Sequence, residues 1–189
     1  FFPNFGNPNL AAEESETFEG GAEQVLFEDK VSWSGTLFRT NYENLIQIVR
    51  TSPTKSEPLN VGRSRIDGVE LEVAVKPLPG WTLTGSYSHL KANERPSGEE
   101  LLRLPKNTMG FSAAYSPSER WEARLNGLLV SSREESTATN QRQKTKGYLK
   151  LDLILKYQFK EWLNGHVRIE NLVDRHHSEV LGFPANDFL

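Results

Sequence analysis

Apolar and polar residues alternate with a period of two through most of this chain. From Gly68 to Pro77, Val69, Leu71, Val73 and Val75 lie on one face, and Glu70, Glu72, Ala74 and Lys76 on the other. That period belongs to a strand with one apolar side, not to a helix. After Pro77-Leu78-Pro79-Gly80, Trp81, Leu83, Gly85 and Tyr87 oppose Thr82, Thr84, Ser86 and Ser88. Met109, Phe111, Ala113 and Tyr115 oppose Thr108, Gly110, Ser112 and Ala114; Trp121, Ala123, Leu125, Gly127 and Leu129 oppose Glu122, Arg124 and Asn126. Leu149, Leu151, Leu153, Leu155, Tyr157 and Phe159 oppose Lys150, Asp152, Lys156 and Gln158, and Val167 and Ile169 oppose His166, Arg168 and Glu170. No charge falls on the apolar face of these six strands. Two opening strands are less regular. In the first, about Ser15 to Phe27, Gln24 falls on the outer face; in the second, Val31, Trp33, Gly35 and Leu37 alternate cleanly until the phase blurs at Phe38.

The connections also alternate. Short turns are expected at Phe27–Lys30, Pro77–Gly80, Ser116–Arg120 and Lys160–Asn164, and long connections at Thr51–Arg65, Ala92–Pro105, Ser131–Lys146 and Asp174–Asn186. Hairpins tight at one end and long at the other suit an antiparallel up-and-down transmembrane β-barrel. A clean apolar face would equally suit the core of a soluble sandwich. Two features favour lipid. Strands of roughly nine to eleven residues match a tilted bilayer crossing. Aromatics gather at the ends of the apolar band: Trp81, Tyr115, Trp121, Tyr157, Phe159 and Trp162 beside short turns, Tyr87 and Tyr148 near long ones. Amphipathic rings favour membrane interfaces.

Composition narrows the reading further. No run of eighteen apolar residues exists among the 189, so a transmembrane helix is excluded. A net charge of -3 argues against nucleic acid as a partner. Cysteine is absent, which removes disulfides and thiolate chemistry. Phe1-Phe2-Pro3 does not open a signal peptide, so either one was removed or the chain is an interior piece.

Several short motifs resemble those of TonB-dependent outer-membrane receptors. Asn7, Pro8, Asn9 and Leu10, followed by Glu13, Ser15, Glu19 and Gly21, resemble the family's N-P-x-L-x-P-E-x-S-x-x-x-E-x-G, with Ala12 where proline is usual. Tyr42-Glu43-Asn44-Leu45-Ile46 looks like the end of the next family strand, and Ile66-Asp67-Gly68-Val69-Glu70-Leu71-Glu72 like its G-[VI]-E-x-E strand. Leu104-Pro105-Lys106-Asn107 resembles a loop-to-strand junction, Ile169-Glu170-Asn171-Leu172-Val173-Asp174 the near-terminal V-x-N-L-F-D, and Gly182-Phe183-Pro184 the G-[YF]-P beyond it. The resemblance implies that residues 1–189 are a partial barrel domain, about eight strands of a 22-stranded barrel. The plug domain, the earlier strands and the closing strand are expected outside it. It further implies a bacterial outer-membrane receptor for a siderophore, cobalamin or haem, energised by TonB through the plug. Its partners would be outer-membrane lipid, TonB and a large nutrient such as a metal chelate, with no resident cofactor and a monomeric intact receptor. Ser15, Glu19 and Gly21 share one face, expected to be the lumen.

Other candidate chemistry is weak. His176 and His177 are adjacent, and neighbouring strand residues point apart, so metal ligation is not expected. The interleaved charges of the polar faces read as a salt-bridged wet wall, and no enzyme is indicated. In the long loops, Arg95, Glu99, Glu100, Arg133, Glu134 and Arg142 are candidate external contacts for the ligand. Two alternatives remain: a passive channel or complete eight-stranded barrel, and a soluble sandwich or lipocalin-like carrier. If eight strands are part of a larger barrel, the piece alone leaves two unpaired edges, which lipid does not tolerate. Steady single-channel conductance from residues 1–189 alone would contradict that reading.

Overall fold

The computed structural model describes residues 7–52, 55–60, 62–136 and 141–174. His176, His177, the Gly182-Phe183-Pro184 motif and nearly all of the last long connection lie outside them. The described residues form strands and turns, with no helix among them.

Twelve strands arise among the described residues. They are β1 (Glu14–Leu26), β2 (Val31–Glu43), β3 (Ile46–Ser52), β4 (Lys55–Asn60), β5 (Arg63–Val75), β6 (Trp81–Arg95), β7 (Asn107–Ser118), β8 (Trp121–Val130), β9 (Arg133–Ser136), β10 (Arg142–Thr145), β11 (Tyr148–Lys160) and β12 (Leu163–Ile169). Eight build one antiparallel sheet in the order β1-β2-β5-β6-β7-β8-β11-β12, and β3–β4 and β9–β10 are separate hairpins. Each main strand therefore pairs with the next one along the chain once those hairpins are set aside. Among the described residues β1 and β12 do not pair, so the sheet is an open arc.

Several expectations need correction. Most main strands are longer than nine to eleven residues: β5 has 13 and β6 has 15. β5 starts at Arg63 rather than Gly68, because its pairing with β6 continues from Gly68↔Leu90 out to Arg63↔Arg95. Residues beyond the apolar band thus stay in the ladder, and hydropathy alone gives no signal for them. The long connections after β2 and β8 are not irregular: each carries a hairpin, β3–β4 and β9–β10. β7 runs on to Ser118 through a register shift between Tyr115 and Ser118. The blurred phase at Phe38 is not a break. Phe38 turns to the polar side, and its ring covers Gly68, where a Cβ would meet it at 2.2 Å.

The register joins the apolar positions into rows running across the sheet. One row reads Val31–Val75–Leu83–Ala113–Leu125–Leu153–Ile169, and the next Trp33–Val73–Gly85–Phe111–Gly127–Leu151. Among the described residues nothing covers them. Leu37 is 62% exposed, Leu71 46%, Phe111 40% and Val167 57%. Among the described residues the buried apolar ones are Ala114 and Val130, and register puts both on the polar side. A soluble sandwich would bury these rows against a second layer. Here a single layer turns a wide apolar face outward, an arrangement that water penalises and acyl chains accept. The opposite side is concave and wet: a hollow of about 700 Å³ is lined in part by Glu23, Ser34, Glu72, Thr84, Ser86 and Ser112.

Turn chemistry holds the tight end. Gly80 has φ +78°, and a Cβ there would lie 2.7 Å from the Ser116 carbonyl oxygen, so this position takes glycine alone. The β1–β2 turn places Phe27, Glu28 and Asp29 at positive φ and closes with Lys30 N–H donating to Phe27 O at 3.2 Å.

Candidate functional site

The rim that carries the long connections is built from loops that grip one another. Asn107, the first residue of β7, exchanges hydrogen bonds with Ser131: Ser131 N–H donates to Asn107 O at 2.9 Å, and Asn107 N–H donates to the Ser131 hydroxyl Oγ at 3.0 Å. This joins the base of loop 96–106 to the base of loop 131–147. Higher up, Arg142 donates to Glu99 Oε2 at 2.7 Å and to the Glu100 carbonyl at 2.8 Å, while Lys106 pairs with Glu100. Arg103 N–H donates to Glu134 O at 2.7 Å. Beneath these contacts Glu135 is wholly buried, with the Arg103 and Arg133 guanidinium groups each 3.8 Å away.

Five of the six candidate loop residues therefore converge. Glu99, Glu100, Arg133, Glu134 and Arg142 line one open hollow of about 500 Å³, together with Lys106 and Lys144. Arg95 does not join them; it pairs with Arg63 at the end of β5–β6. Sequence reasoning missed Glu135, the acid that ties the two loops. Its one signal was the fixed spacing of Arg133 and Glu135 on a short strand, and that is too common to stand out. Among the described residues no group of three or more His, Cys, Asp or Glu could hold a metal ion.

The family-like motif sits at the same rim. Asn7 begins a turn in which Asn9 N–H donates to Asn7 Oδ1 at 3.0 Å and Leu10 N–H to Asn7 O at 3.3 Å, with Pro8 inside it. Asn7 Nδ2 also donates to Pro58 O in β4 at 3.0 Å. Glu13 accepts the Ile46 N–H at 2.7 Å, and Asn60 bridges Ala11 and Asn44. The motif thus staples the β3–β4 hairpin to the start of β1. Ser15, Glu19 and Gly21 follow on the polar side of β1, opposite Tyr42, Phe38 and Thr36. At Gly21 a Cβ would lie 2.9 Å from both the Gly35 carbonyl and Thr36 Oγ1. Gly21→Ala is expected to cost about 1–3 kcal/mol as an overpacked contact, read by denaturant unfolding of the full-length protein. Glu13→Ala leaves the Ile46 N–H without its acceptor and should loosen the hairpin by about 1–2 kcal/mol, seen as faster amide exchange in β3 and β4. At the hairpin tip, Lys55 holds the Glu57 carboxyl below its usual pKa, with Thr51 assisting. Because the carboxyl is held low, this pairing supports the tip above the ordinary carboxylate range and is lost as pH falls through the lowered value.

The polar wall carries connected ions. Glu122 lies 3.1 Å from Lys156 and 3.2 Å from Arg124. Asp152 lies 3.5 Å from Lys150 and 3.4 Å from Arg168, and Arg168 lies 3.0 Å from Glu170. Asn171 N–H donates to Asp152 Oδ1 at 3.0 Å, folding the chain after β12 back onto β11. Each acid here has a neighbouring base, and an interleaved ladder of this kind is a wall rather than a reactive dyad.

The aromatics of the turn end share the apolar face. Trp81 stacks on Tyr115 at 4.7 Å, Trp121 meets Tyr157 at 4.7 Å, and Tyr157 meets Phe159 edge-on at 4.7 Å. Trp162 stands 76% exposed in the last turn, with Lys160 Nζ 5.2 Å from its ring centroid. At the other end Tyr87 donates to Asn107 Oδ1 at 2.8 Å, and His89 meets the same atom at 2.8 Å. Tyr148 departs from expectation: it pairs with Val130 and stands on the polar side, because the strand's apolar phase is odd-numbered.

Known proteins share this arrangement. The family model described as "TonB dependent receptor-like, beta-barrel" matches residues 1–172. The vitamin B12 transporter BtuB of Photobacterium profundum is 26% identical over 188 residues, covering 93% of this chain and 28% of its own length. The ferric-pyoverdine 358 receptor of Pseudomonas putida is 24% identical over 178 residues, covering 90% of this chain and 22% of its own. Among solved structures, the copper transporter OprC superposes with a TM-score of 0.76 at 16% identity, over 90% of this chain and 27% of that one. The pyoverdine receptor FpvA of Pseudomonas aeruginosa PAO1, bound to pyoverdine, gives 0.74 at 18% identity, over 92% and 27%. These structures carry the fold alone, and the chain spans about a quarter of the length of the relatives it matches. With the motifs, the single-layer sheet and a family match across 172 residues, the chain belongs to the TonB-dependent receptor-like β-barrel family, whose place is the bacterial outer membrane.

Proposed function

We propose that this chain is barrel wall and external loop of an active outer-membrane receptor for a large, scarce nutrient of the ferric-chelate or cobalamin type. The observation that carries the reading is the bare apolar exterior backed by a concave, charged interior, which is how a wall divides lipid from a wet lumen. The relatives' named cargoes, vitamin B12 and ferric pyoverdine, support the substrate class. The reading makes residues 1–189 part of a 22-stranded barrel around a plug, driven by TonB, in a monomeric receptor.

The candidate residues take roles accordingly. Glu99, Glu100, Arg133, Glu134 and Arg142 present a polar, mixed-charge hollow to the outside, suited to a ligand rich in oxygen donors and amides. Trp81, Tyr115, Trp121, Tyr157, Phe159 and Trp162 mark one membrane interface and Tyr87 the other. Asn7, Pro8, Asn9, Leu10 and Glu13 hold the first external hairpin. The relatives are transporters and receptors, and the reading assigns no catalysis.

The test is uptake by cells producing the full-length receptor in place of their own. With ferric pyoverdine or cyanocobalamin as limiting source, growth should require both the receptor and TonB. Growth that persists unchanged without TonB would turn the reading toward a passive channel. No accumulation of either class would remove the proposed cargo.

A further inference from the structure

One arginine of the loop hollow is already held by a carboxylate of the same chain. Arg142 reaches from β10 to loop 96–106, where it donates to Glu99 Oε2 at 2.7 Å and to the Glu100 carbonyl at 2.8 Å. The two contacts differ in kind. The Glu100 carbonyl belongs to backbone fixed by other bonds: Asn93 and Glu100 form an isolated bridge, and Leu101 N–H donates to Ala92 O at 3.0 Å. The Glu99 backbone is fixed as well, with Glu94 N–H donating to Glu99 O at 2.8 Å and Glu99 N–H to Ser97 Oγ at 3.3 Å. The Glu99 side chain, by contrast, stands 60% exposed, and its ion pair is with Arg142. That side chain can swing away while its backbone stays put. The Glu100 carbonyl would then still aim the guanidinium into the hollow.

Charge decides how an anion could enter. The hollow sets Lys106, Arg133, Arg142 and Lys144 against Glu99, Glu100 and Glu134, with Glu135 between Arg133 and Arg103 below. This is close to balance, so an anion gains a cation there by displacing an acid. The pairs are not equally easy to open. Arg133 and Glu135 are both buried, and breaking such a pair costs far more than breaking an exposed one. Lys106 pairs with Glu100 as a point charge on a flexible stem. Arg142 offers a planar fork, the geometry that matches a carboxylate, and its present acid is the exposed one.

We propose that Glu99 is an internal competitor at Arg142, and that a carboxylate group of an anionic cargo exchanges with it on the same guanidinium. As a cargo contact, this rests on the reading of the hollow as the receptor's outer binding surface. Arg142 is then a specificity-determining residue that favours acidic chelates over neutral ones, and Glu99 raises the threshold that any weak anion must pass.

The test uses the full-length receptor in deuterated detergent, with metal-free citrate as the probe and saturation transfer to its methylene protons as the readout, at constant ionic strength. Wild type should bind citrate with an affinity on the order of millimolar, and should not bind glycerol, which has hydroxyls and no carboxylate. Glu99→Gln should bind citrate about threefold more tightly, because an exposed ion pair no longer competes. Arg142→Gln should bind it roughly tenfold or more weakly. These opposite signs guard against a folding artefact. In the double variant the gain from Glu99→Gln should vanish, since the competitor acts through Arg142. No citrate binding, equal binding by wild type and Arg142→Gln, no gain from Glu99→Gln, or a gain that survives in the double variant would each overturn the proposal. Citrate carries no iron, so this result is separate from the uptake test: failed uptake with the citrate pattern intact would sink the nutrient reading alone.

Discussion

An arginine in place of Leu71 is expected to destabilise the full-length receptor in a bilayer by about 2–4 kcal/mol, the cost of a guanidinium near the midplane. Leu71 sits midway along the apolar stretch of β5, between Gly35 and Tyr87, and is 46% exposed. In water, a half-exposed leucine replaced by arginine would change stability by about 0.5 kcal/mol or less. The size of the effect therefore reports the solvent. Glu72→Arg is the internal control. It lies one residue on, facing Ser34 and Ser86 across the ladder, and points to the wet side. Its cost should stay below about 1 kcal/mol, because the lumen hydrates the charge. Chemical unfolding in lipid vesicles gives both numbers, and the difference between neighbours matters more than either value.

Glu135→Ala should release the two long loops, 96–106 and 131–147, while leaving the eight-stranded sheet in place. Glu135 is fully buried between Arg103 and Arg133, and the Arg133 side chain is itself only 9% exposed. Removing the acid takes a buried carboxylate away from the mostly buried Arg133 guanidinium, and breaking a buried pair of this kind typically costs about 3–5 kcal/mol. That energy is local, since β9–β10 is a hairpin of its own outside the eight-stranded sheet. Amide exchange in Arg133–Ser136 and Arg142–Thr145 should accelerate by roughly a hundredfold or more, with exchange in β7 and β8 unchanged. If the loop hollow binds the nutrient, the same variant should weaken capture without reducing the amount of receptor in the membrane. Unchanged exchange would show that the hydrogen bonds of Arg142 and Arg103 suffice to hold the loops.

The wall was legible in the sequence because one physical constraint writes it twice. Lipid demands an apolar residue at every second position, and the same demand excludes charge there, so Val69 to Val75 and Leu149 to Phe159 declare their faces without help. Where that constraint lapses, the reading lapses. Arg63 to Asp67 pair as fully as Val69 does, but above the band nothing forces alternation, and the strand looked like loop. The β3–β4 and β9–β10 hairpins went unseen for the same reason. Nearness to a loop suggests an interface position for Tyr148, but face is set by parity alone, and its even number puts it on the polar side. Phe38 looked like a phase error because the pairing that seats its ring on Gly68 joins residues thirty positions apart. The loop hollow was half legible. Charged residues in long loops could be named, but that Glu99 would meet Arg142 depends on two loops folding toward each other, which no local pattern encodes.

The central claim is that one side of this sheet meets acyl chains and the other meets water. Residues 1–189 contain no cysteine, and in a full-length receptor freed of any other cysteine, single cysteines placed from position 69 to 75 can each carry a nitroxide in vesicles. Collision with oxygen, which concentrates in the bilayer, and with a water-soluble nickel chelate should alternate residue by residue. Labels at 69, 71, 73 and 75 should respond to oxygen, and labels at 70, 72 and 74 to nickel. Odd-numbered labels shielded from both reagents, or open to nickel, would place that face against protein or water and contradict the account.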